Sequence, residues 1–171
     1  MSLFRQRSSI DREGVVTDCA IAAGEWVHTM DGERVSPLEL VVRLATKRLR
    51  SADDVFVLGY FSYILPDPLS LAINHSCDPN CGIRGERELC ALRPIASGEE
   101  ITFDYSTTVK GTVPWQMAYP CKCGAPNCRG IVGNVATIPE ATFQRYVALD
   151  AVPRPFRITR RFRIGEHVFG I

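Results

Sequence analysis

The stretch Asn74-His75-Ser76-Cys77-Asp78-Pro79-Asn80 constrains this chain more than any other. It follows an apolar approach, Leu71-Ala72-Ile73, and crowds polar, kink-prone and metal-binding side chains together. A chain that enters a core along an apolar run and stops on such residues makes a tight turn or a site. Two later stretches favour a site. Gly98-Glu99-Glu100-Ile101-Thr102-Phe103-Asp104-Tyr105 reads as a turn feeding a short strand that ends on an aromatic. Cys121-Lys122-Cys123-Gly124-Ala125-Pro126-Asn127-Cys128-Arg129-Gly130 reads as a cysteine knuckle.

Composition narrows the possibilities. The 171 residues suit one domain with a small appendage, and 46% apolar residues support a sizeable core. A net charge of +1 gives no global field toward nucleic acid or membrane. No apolar run approaches the length of a membrane span, and MSLFRQRSS lacks a signal-peptide apolar core. The reading is an intracellular, cytoplasmic protein. Seven cysteines, three of them bunched near a Gly-Pro turn, point to metal ligation in a reducing compartment rather than to a disulfide framework.

The remaining chain reads as short strands with few helices. Val15-Val16 and Trp26-Val27 are strand-like around a turn at Ala23-Gly24-Glu25, and together they read as a hairpin. Residues 37–50 form the clearest helix, with Ser36 as cap and Pro37 in the first turn. Leu38, Val41, Val42, Ala45 and Leu49 would pack on the sheet, and Arg43, Lys47, Arg48 and Arg50 would form a solvated basic face. Residues 55–65 are β-rich, with Tyr60, Phe61 and Tyr63 read as core. Residues 82–95 read as a hairpin, and residues 137–148 as a short helix started at Pro139 with Phe143, Tyr146 and Val147 inward. The tail from Pro153 alternates apolar residues with arginines and reads as a half-buried strand with a basic outer face.

NHSCDPN, GEEITFDY and C-x-C-x4-C-R-G, in that order, resemble the SET-domain protein-lysine methyltransferases, most closely the compact bacterial-type proteins with a SET domain and a post-SET segment. The dense match runs from about residue 71 to 130. The resemblance implies a mainly β fold with short helices, a SET-domain β-clip with pseudoknot-like threading, in which the chain around Tyr105 passes beneath the NHSC loop. It divides the chain into a SET domain at 1–110 with an insert helix at about 36–50, a post-SET zinc segment at 111–133, and a C-terminal extension at 134–171 packed on the domain.

The same resemblance implies S-adenosyl-L-methionine as methyl donor and a protein substrate with an exposed lysine, a histone tail or another basic protein. It assigns Tyr105 as the catalytic tyrosine, Phe103 as the residue that sets product number, and Tyr63 as a wall of the lysine channel. Phenylalanine at 103 leaves room for di- or trimethylation. Cofactor contacts fall on Arg12, Glu13, Gly14, Asn74, His75 and Tyr105. Arg12 stands where the family has a first glycine, and Leu71 and Ile131 stand where relatives carry an arginine and an aromatic; for the last, either the wall is aliphatic or Trp115 or Tyr119 serves instead. Structural Zn2+ would take Cys121, Cys123 and Cys128, with Cys77 as the fourth thiolate and Cys81 as its nearest rival. Two other functions fit less of this pattern: a catalytically silent SET module that binds a basic peptide or the cofactor, and a purely structural zinc module.

Overall fold

In the computed structural model of the chain, residues 1–49, 55–58, 63–109 and 119–157 are described. In chain order they form β1 (Leu3–Arg7), β2 (Glu13–Thr17), β3 (Trp26–Thr29), β4 (Gly32–Val35), helix α1 (Pro37–Ala45), β5 (Phe56–Val57), β6 (Tyr63–Pro66), α2 (Pro68–Leu71), β7 (Asn74–His75), β8 (Cys81–Arg84), β9 (Glu88–Ala91), β10 (Glu100–Phe103), β11 (Tyr119–Pro120), β12 (Ile131–Val132) and α3 (Glu140–Ala148). The main sheet runs β1-β2-β10-β8-β9-β3, with β7 also on β10. A small sheet runs β4-β6-β5, and β11-β12 form a separate ribbon. No helix among the described residues is long and apolar enough to cross a membrane.

The threading that the motifs imply is visible in the register. β10 runs parallel to β7 and to β8, which are the two strands flanking the loop at residues 76–80. Phe103 is opposite both His75 and Cys81. Asn80 closes the loop around the strand. Its Oδ1 accepts from the Thr102 N–H at 2.9 Å, and its Nδ2 donates to the Glu100 carbonyl at 2.8 Å. Tyr105 therefore emerges from under the NHSC loop.

Three features differ from the sequence reading. β2 and β3 are not a hairpin: β2 pairs with β1 and β10, and β3 pairs with β9. Val15 and Val16 are both buried, so β2 needs cover on both faces and a neighbour on each edge. The turn after it docks elsewhere, the Gly24 N–H donating to the Ala91 carbonyl at 2.8 Å.

Helix α1 begins as expected, with the Ser36 hydroxyl accepting from the Glu39 N–H at 3.2 Å, but it ends at Ala45. Its buried residue is Leu40, while Leu38, Val41 and Val42 are 74%, 48% and 48% exposed. Four of the five residues expected to pack, Leu38, Val41, Val42 and Ala45, are thus exposed, while Leu49 packs against the apolar cluster that holds Leu40. Leu40 and Leu44 pack into that cluster with Val35 and Val57, and Arg43 adds an ion cluster, its guanidinium 2.6 Å from Glu33 of β4 and 2.5 Å from Glu39.

The tail is the third difference. Residues 154–157 are helical, and Phe156 is fully buried. Pro153 and Pro155 lack the N–H groups a strand ladder needs, yet suit a helix start. The alternating residues beyond, 158–171, lie outside the described residues, as do Tyr60, Phe61 and Trp115.

Apolar side chains gather in two clusters. The first lies within the main sheet and includes Val15, Ile83, Leu89, Ile101 and Phe103. The second joins Val35, Leu40, Val57 and Tyr63 to Phe143, Tyr146, Val152 and Phe156. Phe143 and Tyr146 of α3 face inward, as their spacing predicts.

Candidate active site

Asn74 organises one wall. It is buried, and its Nδ2 lies 2.9 Å from the Glu13 carbonyl and 2.7 Å from the Glu100 carboxylate. Ser8 donates to the same carboxylate at 2.9 Å. This knot holds the loop at residues 8–13 against β7. A Cβ on Gly14 would lie 2.2 Å from Glu100 Oε1, so the carboxylate can reach Asn74 only past a glycine. Arg12 adopts φ 31°, in the left-handed region that favours glycine.

Tyr105 forms the floor. Its hydroxyl donates to the Ile73 carbonyl at 2.5 Å, and its backbone N–H donates to His75 Nδ1 at 3.2 Å. Burial raises the phenol's pKa, so it is a neutral hydroxyl. The Phe103 ring lies 4.8 Å from the Tyr105 ring and meets Phe56 edge-on at 6.2 Å. Burial lowers the His75 pKa to about 4 against the pull of Asp104, which keeps the imidazole neutral.

These elements enclose a cleft of about 480 Å³ lined by Arg5, Asp11, Arg12, Glu13, Leu71, Asn74, Tyr105 and Tyr119, with Pro66, Pro68 and Ala72. Its size suits a small-molecule cofactor. Its lining carries both signs of charge, Arg5 and Arg12 against Asp11 and Glu13. Tyr119 lines it beside Tyr105; Ile131 sits on the β11-β12 ribbon, outside that lining.

The thiols converge behind this cleft. Cys77 Sγ is 3.8 Å from Cys121 Sγ, and the Cys128 thiol contacts both Cys121 and Cys123. Each sulfur also accepts a backbone N–H: Arg129 N to Cys77 and Cys77 N to Cys123 at 3.5 Å, Cys123 N to Cys121 and Gly130 N to Cys128 at 3.4 Å. Amide N–H groups aimed at all four sulfurs are the outer shell a tetrathiolate needs, so this donor set fits zinc. Against the effect of burial, hydrogen bonds from the Cys77 and Ala125 backbones lower the Cys123 pKa to about 7. Burial pushes Cys77 up to about 11, which a bound cation would reverse. Cys81 is fully buried in the main-sheet cluster, apart from this group.

A second fastening runs beside the thiols. Arg129 grips Asp104 with both guanidinium arms, at 2.8 and 2.7 Å, and the Tyr146 hydroxyl lies 3.4 Å from the same carboxylate. Both charged side chains are buried. Sequence reasoning quoted Asp104 and Arg129 within their motifs but gave them no role. It also missed Glu100, Ser8 and Arg5. The structure does not bring Tyr63 to Phe103 and Tyr105: it pairs with Val35 and Val57 on the side of the small sheet that packs in the second cluster with α3, while Phe56 and Ile64 on the other side join the main-sheet cluster with Phe103.

A strand threaded under an NHSC loop, a cleft closed by Asn74 and Tyr105, and a thiol knuckle packed behind them define the SET-domain class. The SET domain family model matches residues 12–106, and the chain belongs to that family. Drosophila melanogaster histone-lysine N-methyltransferase ash1 is 31% identical over 71% of this chain, which spans 6% of ash1. The Saccharomyces cerevisiae H3 lysine-4 specific enzyme is 32% identical over 74% of this chain and 13% of its own length. An H3 lysine-36 specific enzyme of Coccidioides immitis is 36% identical over 46% of the chain and 8% of its own length. Among solved structures, a humanized mutant of Chaetomium thermophilum Polycomb Repressive Complex 2 bound to the inhibitor GSK126 aligns with TM-score 0.53 at 25% identity, over 63% of this chain and 15% of that one. The chain thus spans a small fraction of these relatives.

Proposed function

We propose that this chain is an S-adenosyl-L-methionine-dependent protein-lysine N-methyltransferase with a structural zinc, acting on a lysine in a basic protein segment such as a histone tail, and producing di- or trimethyl-lysine. The observation that carries the reading is the placement of Tyr105, which lines the cleft together with Asn74, Arg12 and Glu13 while its hydroxyl is held on the Ile73 carbonyl. The relatives' names carry histone lysines as their targets.

The methyl donor supplies an electrophilic carbon on a sulfonium. The chain's residues must hold a neutral amine in line with it. Lysine titrates near ~10.4, so deprotonation at pH 7 costs about 4–5 kcal/mol. Tyr105, Leu71, Ala72, Pro66 and Pro68 give the cleft an apolar part that would solvate the ammonium poorly and so disfavour it, with Phe103 packed against the Tyr105 ring. Tyr105 restricts the amine's approach, and such positioning can lower a barrier by about 7–11 kcal/mol in the best cases. Asn74 holds the loop at residues 11–13 that would receive the donor's polar end, while zinc on Cys77, Cys121, Cys123 and Cys128 would fasten the knuckle behind Tyr105. Phe103 places no hydroxyl near the amine, which leaves space for a methylated amine to turn.

Labelled S-adenosylmethionine, mixed core histones and a cell lysate depleted of its own cofactor provide the test. Label should enter protein lysine, and Tyr105→Phe should slow transfer on the order of 100-fold. Absence of label in every protein fraction, with the cofactor bound, would favour a silent binding module. Mass spectrometry of the product peptide should show two or three methyl groups, and Phe103→Tyr should shift it toward one.

A further inference from the structure

His75 stands between two parts of the site. Its Nδ1 is 3.2 Å from the backbone nitrogen of Tyr105, and its Nε2 is 3.4 Å from Cys77 Sγ. A backbone N–H can only donate, so Nδ1 is the bare nitrogen and the ring hydrogen sits on Nε2, aimed at the sulfur. A thiolate accepts such a bond. A ring nitrogen that carries hydrogen cannot bind a metal at the same time.

This decides between two ligand sets. His75 Nε2 and the sulfurs of Cys77, Cys121 and Cys123 all lie within 4.8 Å of one another, so the imidazole competes with Cys128 for the fourth position. Ligation through Nε2 would move the hydrogen to Nδ1, head to head with the Tyr105 N–H in a buried place. Asp104 Oδ1, 3.6 Å from Nδ1, is too far to accept it and is already held by Arg129. The ring therefore belongs outside the metal's own ligands, with Cys128 as the fourth.

We infer that His75 is a positioning residue that links the thiolate cluster to Tyr105, donating through Nε2 to Cys77 and accepting through Nδ1 from the tyrosine's backbone. A metal that fixes Cys77 fixes the ring, and the ring fixes the backbone from which the Tyr105 hydroxyl reaches Ile73. The inference rests on the methyltransfer reading of Tyr105 for its effect on rate, but not for its effect on metal binding. The imidazole also lies 5.4 Å, centroid to centroid, from the Tyr105 ring, so side chain and backbone are held together.

The first test needs no substitution. Nitrogen NMR of the zinc-loaded chain, labelled on histidine, should show the Nε2–H tautomer for His75. An Nδ1–H tautomer, or coupling of a ring nitrogen to cadmium in the cadmium-loaded chain, would overturn the inference. The second test uses His75→Phe, which removes both bonds, and His75→Gln, whose amide can keep a donor to Cys77 without an acceptor for Tyr105. Zinc affinity should fall about 10–100-fold in the phenylalanine variant and less in the glutamine variant. Turnover at saturating S-adenosylmethionine should fall in both. Unchanged zinc affinity in both, or a loss confined to cofactor affinity, would also overturn it. If the unmodified chain transfers no methyl group, the functional reading fails, while the tautomer and zinc affinity still decide the link.

Discussion

Arg12 shows how a residue can depart from a motif and still do its structural work. Its φ of 31° is one that glycine adopts freely and a side chain adopts at a cost of about 1–2 kcal/mol. Arg12→Gly relieves that strain and raises the unfolded chain's freedom, so stability should move by no more than about 1 kcal/mol. Because the backbone is kept, any change in cofactor affinity measured by calorimetry then belongs to the guanidinium at the cleft's rim. Contiguity made the motif residues legible: Asn74, His75 and Cys77 sit within four positions of one another. Glu100 and Ser8 were not legible, because their meeting with Asn74 spans sequence separations of 26 and 66 residues. His28 adds a pH response at this scale. Its Nε2 is 2.9 Å from the Ser70 hydroxyl, and burial lowers its pKa below 6.5 despite Asp67 and Asp31. The unfolded chain therefore takes up this proton first as pH falls. The stability concerned is fully present above pH 6.5 and declines below it. Urea titrations above and below that pH should show the decline, and His28→Gln should flatten it in part.

Among the elements, α1 separates what periodicity can tell from what it cannot. Apolar spacing gave a helix and a capped start, but two stripes were available, and the one that packs carries Leu40 and Leu44 into the second cluster, with Arg43, Glu33 and Glu39 paired beside it. Leu40→Ala should cost about 2–5 kcal/mol by removing a fully buried side chain, whereas Val42→Thr, at a half-exposed position, should stay within about 0.5 kcal/mol. Thermal melts of the two variants check the assignment directly. The fastening of the knuckle is a second element-scale question. Asp104 accepts from Arg129, from Tyr146 and, as the cap of the turn at Tyr105–Thr108, from the Ser106 N–H. Asp104→Asn leaves the guanidinium buried without its counter-charge and should destabilise the chain by about 3–5 kcal/mol. Arg129 follows Cys128 directly, so this pair and the thiolates hold the same short segment from two sides. Zinc removal by a chelator should therefore loosen residues 119–133 before the sheet melts, a sequence of events that hydrogen exchange can order.

For the molecule as a whole, the question is why the C-terminal segment packs where it does. Periodicity showed an inward face on α3 but not its partner, since the second cluster draws on β4, β6, α1 and α3, which lie far apart in the chain. The crossing of β10 beneath the NHSC loop is likewise invisible to any local pattern and entered only through the motifs. One tight contact joins the main sheet to the C-terminal segment. Gly82 of β8 faces Ala151, and a Cβ at 82 would lie 2.4 Å from the alanine's own Cβ. Neither atom can turn aside, because one is a backbone-borne methyl and the other would be. Gly82→Ala must then push the segment after α3 away from the sheet, at a cost of about 1–3 kcal/mol. Ala151→Gly removes the obstructing methyl and costs less on its own. If the clash is the whole cause, the double variant regains most of the stability lost in Gly82→Ala, and the cycle shows a coupling well above the ~0.3–0.5 kcal/mol error of additivity. Equal losses that simply add would mean that β8 and the C-terminal segment do not press on each other at this point.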